Sequence, residues 1–535
     1  MNSSIRKVAA ALAVLMLALF VNLNWVQVVK GNSYRDNPQN RRVLLNEYAS
    51  PRGDITVSGT AVAHSVATKD TLKYLRVYPQ GRIYAPVTGF YSLSATPSPY
   101  LGTTGIETAE NSVLSGDDPK LFGTRLTDLL TGRNPRGGSV ELTIDKATQT
   151  AAYQSLIQSD NGQPRRGAVV ALDPRTGAIL AAVSTPSYNP SQLSLHDTAK
   201  ITQNYARLKN EKSQPLLNRA FNQLYPPGST FKVVVAAAAL KAGIKPTDQL
   251  IAPNGYFPET GKTVSSCGND HINCIENFDG EQCDNGKTAS LAYSLAKSCN
   301  TTFAALSVEQ LGGQKIAQQA SLFGFDPPYA NRSNPPNFCG EPRIEMPLPV
   351  CNSTPGARVD LTAKGFLART AFGQQDVRMT PLQGAMIAGA VANDGTLMQP
   401  YLVARELAPN LDVLQETQPS QIDQAVDPGL DQDLQSMMEG VVTSPEGTGH
   451  PAAIPNVVVG GKTGTADTGR TLKNGQPEPP DAWFIGYAMD NGIPKIAVAV
   501  IIENGGVAGN ETTGGEAAAP VAKAVMEAYL KGHPS

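Results

Sequence analysis

Histidine is scarce in this chain: there are five, at His64, His196, His271, His450 and His533. None stands in a serine–histidine or metalloprotease-type pattern, which disfavours hydrolysis through an imidazole base or a histidine-bound zinc. A basic excess is missing too. Lysine plus arginine is 44 against 46 aspartate plus glutamate, a net charge of −2, so nothing calls for nucleic acid. Cysteines number only six, and no motif asks for a cofactor. The remaining composition is that of a folded protein, which excludes wholesale disorder. At 535 residues the chain has room for more than one domain and a large core.

The N-terminus is the first informative stretch. Arg6 and Lys7 precede an unbroken apolar run from Val8 to Val21, and Val26-Gln27-Val28-Val29 continues it past Asn22, Asn24 and Trp25. Val8 to Val29 is long enough to span a bilayer. The rival is a cleaved signal peptide. No small-x-small site follows the apolar core, and Trp25 suits an interfacial anchor, so the segment reads as an uncleaved signal-anchor. Cations before the span favour a cytoplasmic tail at 1–7, although Lys30, Arg35, Arg41 and Arg42 behind it weaken that signal. Either reading puts the bulk of the chain outside the cytoplasm.

The cysteines agree with an oxidising compartment. Cys267, Cys274, Cys283, Cys339 and Cys351 fall in polar loops, and Cys299 falls in a helical pattern. Loop pairs such as Cys267–Cys283 or Cys274–Cys283, and Cys339–Cys351, are the expected bridges, while Cys299 reads as a buried thiol. Sequence alone does not choose among the pairings. Cys267, His271, Cys274 and Cys283 could share a zinc ion, but their spacing fits no common zinc motif, so no metal is expected.

Residues 30–160 read as a small, strand-rich, membrane-proximal domain, with strands at Val62–Ala67 and Leu75–Tyr78 and a Ser/Thr/Pro/Gly loop at 93–105. His64 reads as a strand-surface residue, and Arg52-Gly53-Asp54 as a turn. Ile144–Leu156 has helical periodicity. The polar break at Ser159–Pro164 marks a boundary, with a larger domain at 161–535. There, Gly167–Leu172 and Ala178–Val183 form a hairpin around Asp173-Pro174-Arg175-Thr176-Gly177. The chain is then largely helical to about residue 395. Strands return at 456–461, Ala482–Tyr487 and Lys495–Ile502, and Ala517–Lys531 closes as a helix. Early and late strands around a helical middle predict an α+β fold: one antiparallel sheet built from both ends of the domain and flanked by helices.

The larger domain is organised around Tyr225-Pro226-Pro227-Gly228-Ser229-Thr230-Phe231-Lys232. Two prolines and a glycine stop what precedes them, and the apolar run Val233–Leu240 reads as a buried helix ended by Gly243 and Pro246. Ser229 and Lys232, three apart, share a face. A serine hydroxyl needs a base to become a nucleophile. A lysine can be that base once desolvation, a second cation and the helix N-terminus lower its pKa. Taken alone, an N-cap serine and a solvated lysine explain the pair equally well, and Ser4…Lys7 and Ser294…Lys297 repeat the spacing. Two later motifs change the weighting. Ser298-Cys299-Asn300 ends a helical run, and Lys462-Thr463-Gly464-Thr465 lies in a strand. Ser159-Asp160-Asn161 and Ser187-Tyr188-Asn189 also match Ser-x-Asn, but both precede Ser229.

The ordered triple resembles the penicillin-recognising serine acyltransferases. Arg52-Gly53, Gly105-Ile106-Glu107, Leu142–Asp145, Ala171–Gly177, Asn218-Arg219-Ala220 and Thr380–Gln383 look like class B penicillin-binding proteins. The blocks Asn40–Tyr48 and Tyr84–Ser92 look like the actinobacterial penicillin-binding protein A group. The resemblance implies a membrane-anchored D,D-transpeptidase that cross-links peptidoglycan stem peptides ending in D-Ala-D-Ala during growth and septation. It also implies covalent inhibition by β-lactams and membrane partners in division or elongation. By motif, Ser229 would be acylated, Lys232 would be its base, Ser298 would relay a proton to the leaving amine, and Asn300 would orient Lys232 and the substrate. Lys462 would be the second cation, and Thr463, Gly464 and Thr465 would bind the substrate, with the amides of Ser229 and Thr465 as oxyanion hole. A β-lactamase of the class A type would need a Glu-x-x-Leu-Asn pattern between the second and third motifs, which is missing. Residues 30–160 leave no room for a glycosyltransferase domain. A non-catalytic β-lactam receptor or divisome scaffold of the same fold is the remaining alternative, and the intact Ser229, Lys232, Ser298, Asn300 and Lys462 argue against it.

Overall fold

A computed structural model describes residues 2–30, 48–93, 104–132, 136–158, 164–270, 272–340, 343–472, 474–505 and 513–534. The block at 40–47, most of the loop at 93–105, the break at 159–163 and His271 lie outside these described residues. At the N-terminus, Ile5–Val29 is helical and long and apolar enough to cross a membrane.

The expected sheet is present. Its five strands run in the order Val458–Ala466, Asp481–Asp490, Ile493–Ile502, Gly167–Leu172 and Ile179–Thr185, every pair antiparallel. The central strands carry long apolar runs because both of their faces are covered. Side chains alternate between faces. Val170, Leu172, Ala499 and Ile501 enter one core, shared with the helix Lys232–Lys241 and the helix Pro381–Ala392. Val169, Ala171, Val498 and Val500 enter a second core, against the helices Lys146–Ile157 and Ala519–Gly532. Local signals set the helix starts. The Asp145 carboxylate caps the amide of Thr148 at 2.8 Å, and Thr380 caps Gln383 with Pro381 in the first position. The boundary expected near residue 160 therefore falls behind a helix that packs on this sheet.

The strands of the N-terminal region join a second sheet, ordered Val413–Glu416, Val403–Leu407, Ser139–Leu142, Ile55–Val57, Thr60–Ala67 and Tyr74–Val77. Two of its six strands come from the far side of the sequence, so the two units are interleaved rather than strung in series. Arg52-Gly53-Asp54 is not a turn: it leads into the strand Ile55–Val57. Arg52 is buried, donates to Glu107 Oε2 at 2.6 Å and meets Arg76 across the same carboxylate, whose Oε1 accepts from Arg76 at 2.6 Å and from Tyr78 at 2.9 Å.

The cysteine expectations need correction. The bridges are Cys267–Cys274, Cys283–Cys299 and Cys339–Cys351. Only the last was anticipated; Cys267–Cys283 and Cys274–Cys283 are overturned, and Cys299 is not a free thiol. The helical pattern misled because it is broken there. The helix Leu291–Lys297 ends at Ser298, which is left-handed with φ 68°, and Cys299 caps the next helix, Asn300–Leu306. Off both helices, Cys299 faces Cys283 with a Cα separation of 5.9 Å.

Candidate active site

Ser229 stands on a short 3-10 turn, Gly228–Phe231, and Lys232 is the first residue of the α-helix Lys232–Lys241. Side chains three apart nearly eclipse on a 3-10 turn, which aligns the serine with the lysine more tightly than an α-turn would. The turn is pinned from several sides. Tyr225 and Met379 exchange backbone hydrogen bonds of 3.0 and 2.9 Å. The Trp483 indole donates to the Pro226 carbonyl at 3.0 Å, and the Gly228 amide donates to Gly373 at 3.0 Å. Gly228 has a positive φ of 54°, and a Cβ there would meet the Thr465 carbonyl at 2.8 Å. Glycine is thus required both by the turn and by the approach of the strand Val458–Ala466.

The three motifs converge. Lys232 Nζ donates to the Ser298 carbonyl at 2.6 Å and to Asn300 Oδ1 at 2.7 Å, and lies 3.2 Å from Ser298 Oγ. Lys462 Nζ reaches the same Ser298 Oγ at 2.9 Å and the Thr463 carbonyl at 3.0 Å. One hydroxyl is therefore held between two amines supplied by separate elements. Both lysines are fully buried. Burial first, and the charge of Lys462 second, push Lys232 well below the usual lysine range. Burial lowers Lys462 to about 7. Two amines about 6 Å apart at most, given their shared oxygen, do not both stay charged at neutral pH.

The contacts fit a neutral Lys232 beside a charged Lys462, whose charge lowers Lys232 in addition to burial. The two short contacts of Lys232 go to obligate acceptors and use the two N–H groups of a neutral amine. Its lone pair is left to accept. Lys462, as an ammonium, donates to Ser298 and Thr463, so the Ser298 hydroxyl accepts from Lys462 and can donate towards Lys232. Among the described residues the hydrogen bonds of Lys232 run to Ser298 and Asn300 and not to Ser229; the half-buried Ser229 lines the cleft one turn earlier.

That cleft encloses about 450 Å³ and is lined by Ser229, Ser298, Asn300, Thr463 and Thr465, with the two amines behind its wall. Val458–Ala466 is the edge strand of the sheet, so one backbone edge faces the cleft. Gly464 packs at the back: a Cβ there would meet the Pro227 carbonyl at 2.9 Å and Trp483 Cβ at 3.0 Å. Sequence reasoning missed Thr448, whose hydroxyl bonds that of Thr463 at 2.6 Å, and Thr513 and Gly515, which also line the cleft. The only signal for Thr448 was the Gly447-Thr448-Gly449 turn. The disulfide Cys283–Cys299 lies in the cleft wall beside Ser298. Among the described residues no cluster of metal-ligating side chains occurs.

Comparisons with known proteins point one way. The family model described as the penicillin binding protein transpeptidase domain matches residues 167–527, and that of the penicillin binding protein A dimerisation domain matches residues 52–140. The peptidoglycan D,D-transpeptidase PbpA of Mycolicibacterium smegmatis is 43% identical over 532 residues, covering 99% of each chain. Its namesake in Mycobacterium tuberculosis is 41% identical over 534 residues, covering 100% of each. The ceftriaxone acyl-enzyme of penicillin-binding protein A from M. tuberculosis superposes with a TM-score of 0.78 at 40% identity, covering 91% of this chain and 100% of that one.

Proposed function

The chain belongs to the penicillin-binding protein transpeptidase family, and from that premise we propose that it is a peptidoglycan D,D-transpeptidase acylated on Ser229. The observation that carries the residue assignment is the Ser298 hydroxyl suspended between two buried amines behind the Ser229 cleft.

The chemistry follows from that geometry. Lys232, neutral, takes the Ser229 hydroxyl proton as the oxygen attacks the penultimate D-Ala carbonyl of a stem peptide. The developing oxyanion sits between the amides of Ser229 and Thr465, each worth about 3–4 kcal/mol to the transition state. The C–N bond to the terminal D-Ala breaks, and its nitrogen receives the proton from Lys232 through Ser298. Asn300 holds the amine that makes this transfer. Lys462 with Thr463 and Thr465 receives the terminal carboxylate, and Gly464 lets the strand carrying them close on the Ser229 turn. An amine from a second stem then attacks the acyl-enzyme, loses its proton along the same path and frees Ser229. A β-lactam enters by the same attack, but its leaving nitrogen stays tethered by the opened ring.

We also place the catalytic unit outside the cytoplasm, supported by the apolar N-terminal helix and three disulfides. The helix Lys146–Ile157 is assigned to the catalytic unit, which moves the division to just before Lys146. Membrane proteins of the growth or division machinery are assigned to the unit that follows the anchor in sequence.

The test is labelling with a fluorescent penicillin, followed by peptide mapping of the acyl-enzyme by mass spectrometry. The expected adduct is on Ser229, lost in Ser229→Ala, and it persists for many minutes. Labelling that survives Ser229→Ala overturns the nucleophile, and rapid penicillin turnover makes the protein a hydrolase.

A further inference from the structure

The Ser229 turn has a support that the cleft does not show. Tyr225, immediately before Pro226-Pro227-Gly228, is buried and donates its phenol hydroxyl to Glu503 Oε1 at 2.8 Å. Glu503 follows the strand Ile493–Ile502. Its Oε1 also accepts from Arg219 Nε at 2.8 Å, and its Oε2 accepts from Arg166 Nε at 2.7 Å. Arg219 is fully buried; its other nitrogens donate to the carbonyls of Gln214 and Ser213. The backbone of Glu503 is tied as well, its amide donating to the Arg166 carbonyl at 2.7 Å. The carboxylate is thus fixed by two guanidinium groups and its own main chain, and among the described residues the group it fixes in turn is the Tyr225 hydroxyl. None of Tyr225, Arg219 or Glu503 lines the cleft.

We infer that Glu503 and Tyr225 are positioning residues for acylation: the carboxylate holds the Tyr225 ring, and the ring holds the Pro-Pro-Gly-Ser turn against the edge strand. The geometry supports a stiff linkage. The Tyr225 ring meets Trp483 edge-on at 5.9 Å, and the same indole bonds the Pro226 carbonyl. Two consecutive prolines lock φ, so a shift at Tyr225 is passed on to Gly228 and Ser229 rather than absorbed. Buried charge of this kind is expensive unless it is fully paired, and here one acceptor oxygen is shared between Arg219 and the tyrosine.

The inference rests on Ser229 being the acylated residue, and the experiment separates the two claims. Full-length protein and the variants Tyr225→Phe, Glu503→Ala, Glu503→Gln and the double variant Tyr225→Phe/Glu503→Ala are reacted with fluorescent penicillin. The fraction finally labelled, the non-covalent affinity and the acylation rate constant are measured separately. Tyr225→Phe removes one oxygen and leaves the ring. We expect full final labelling, affinity within about 3-fold, and an acylation rate constant lower by about 10-fold, because misplacement of a reacting group by a fraction of an ångström acts on the chemical step. Glu503→Gln keeps the Oε1 acceptor and should restore most of the rate lost in Glu503→Ala. The double variant should be no slower than Glu503→Ala, since both remove one linkage. A wild-type rate constant in Tyr225→Phe overturns the inference, as does a loss confined to the labelled fraction, which would mark a folding role only. If Ser229→Ala still labels, the parent assignment has failed instead.

Discussion

Replacing Lys462 by methionine tests the electrostatics of the site directly. The side chain is fully buried, so an unbranched apolar residue of similar length fills the space without exposing a void. What disappears is a charge lying within about 6 Å of Lys232 through their shared Ser298 oxygen. At an effective dielectric constant near 20 that repulsion is worth about 2–3 kcal/mol, or about two pH units on the Lys232 titration. Removing a like charge favours the protonated amine, so the Lys232 pKa rises. The base is then neutral only at higher pH, and the acid limb of the second-order acylation rate constant should move up by about two units. At the pH where the wild type is half active, about 1% of the variant would hold a neutral base. The assay is the pH profile of penicillin acylation under second-order conditions, which reports the free enzyme. The plateau will fall too, because a carboxylate partner is lost, so the midpoint is the decisive quantity. A midpoint that stays put, or moves down, refutes the coupling. Stability supplies an independent sign. Lys462 titrates at about 7 when folded against 10.5 for an ordinary lysine. Between those values the unfolded chain binds the extra proton, so wild-type stability rises with pH across that window and the burial penalty is full below it. Lys462→Met should remove that slope and be more stable than wild type near pH 6, by an amount on the order of a few kcal/mol.

Other consequences are simpler to state. Glu107→Ala leaves Arg52 and Arg76 buried without their shared carboxylate and should cost about 3–5 kcal/mol in urea unfolding. Burial raises the Glu107 pKa, but the two arginines outweigh it and hold the group below 4.5; its contribution is therefore present above that value and lost as pH falls through the folded pKa. Gly464→Ala puts a Cβ 2.9 Å from the Pro227 carbonyl and 3.0 Å from Thr230 Cγ2. It should slow acylation by about 100-fold if Ser229 is displaced by about 1 Å. Gly429→Ala, where a Cβ meets nothing within 4 Å, should leave acylation unchanged. Non-reducing peptide mapping of protein isolated from membranes should return Cys283–Cys299; a free Cys299 thiol would contradict the structure.

The parts of this protein that sequence made legible share a property: their signals are short-range. Two prolines and a glycine before Ser229, the apolar run behind Lys232 and the glycine in Lys462-Thr463-Gly464 each act on their immediate neighbours, and their order supplied the rest. The catalytic sheet was readable for a similar reason, since runs such as Ile496–Ile502 admit few arrangements other than a strand covered on both faces. What sequence hid depends on long-range contact. Val403–Leu407 completes a sheet with Ser139–Leu142 from the other half of the chain. Arg52 seemed a turn residue because Glu107 and Arg76, which explain its burial, are far from it in sequence.

The corner at Ser298 shows why motif and mechanism are not the same information. Ser-x-Asn specifies two side chains, but the structure uses three groups there: two acceptors, the Ser298 carbonyl and the Asn300 amide oxygen, and the Ser298 hydroxyl. With φ at 68°, Ser298 turns its carbonyl as well as its hydroxyl towards Lys232, at 2.6 and 3.2 Å, while Asn300 opens the next helix with its amide oxygen at 2.7 Å. A left-handed serine is costly for an L-residue, and it separates the helix Leu291–Lys297 from the helix Asn300–Leu306. Cys299 sits at the break, tied to Cys283, which keeps the residue between the two motif positions off the helix axis. A carbonyl acceptor made available this way takes one N–H of the neutral amine and Asn300 takes the other. The lone pair then has no competitor inside the corner except the Ser298 hydroxyl, which can donate to it. A continuous helix would bury the carbonyl in its own hydrogen-bond ladder and leave Lys232 free to turn away. The break, rather than the identity of the serine alone, is what holds the Lys232 amine in one orientation.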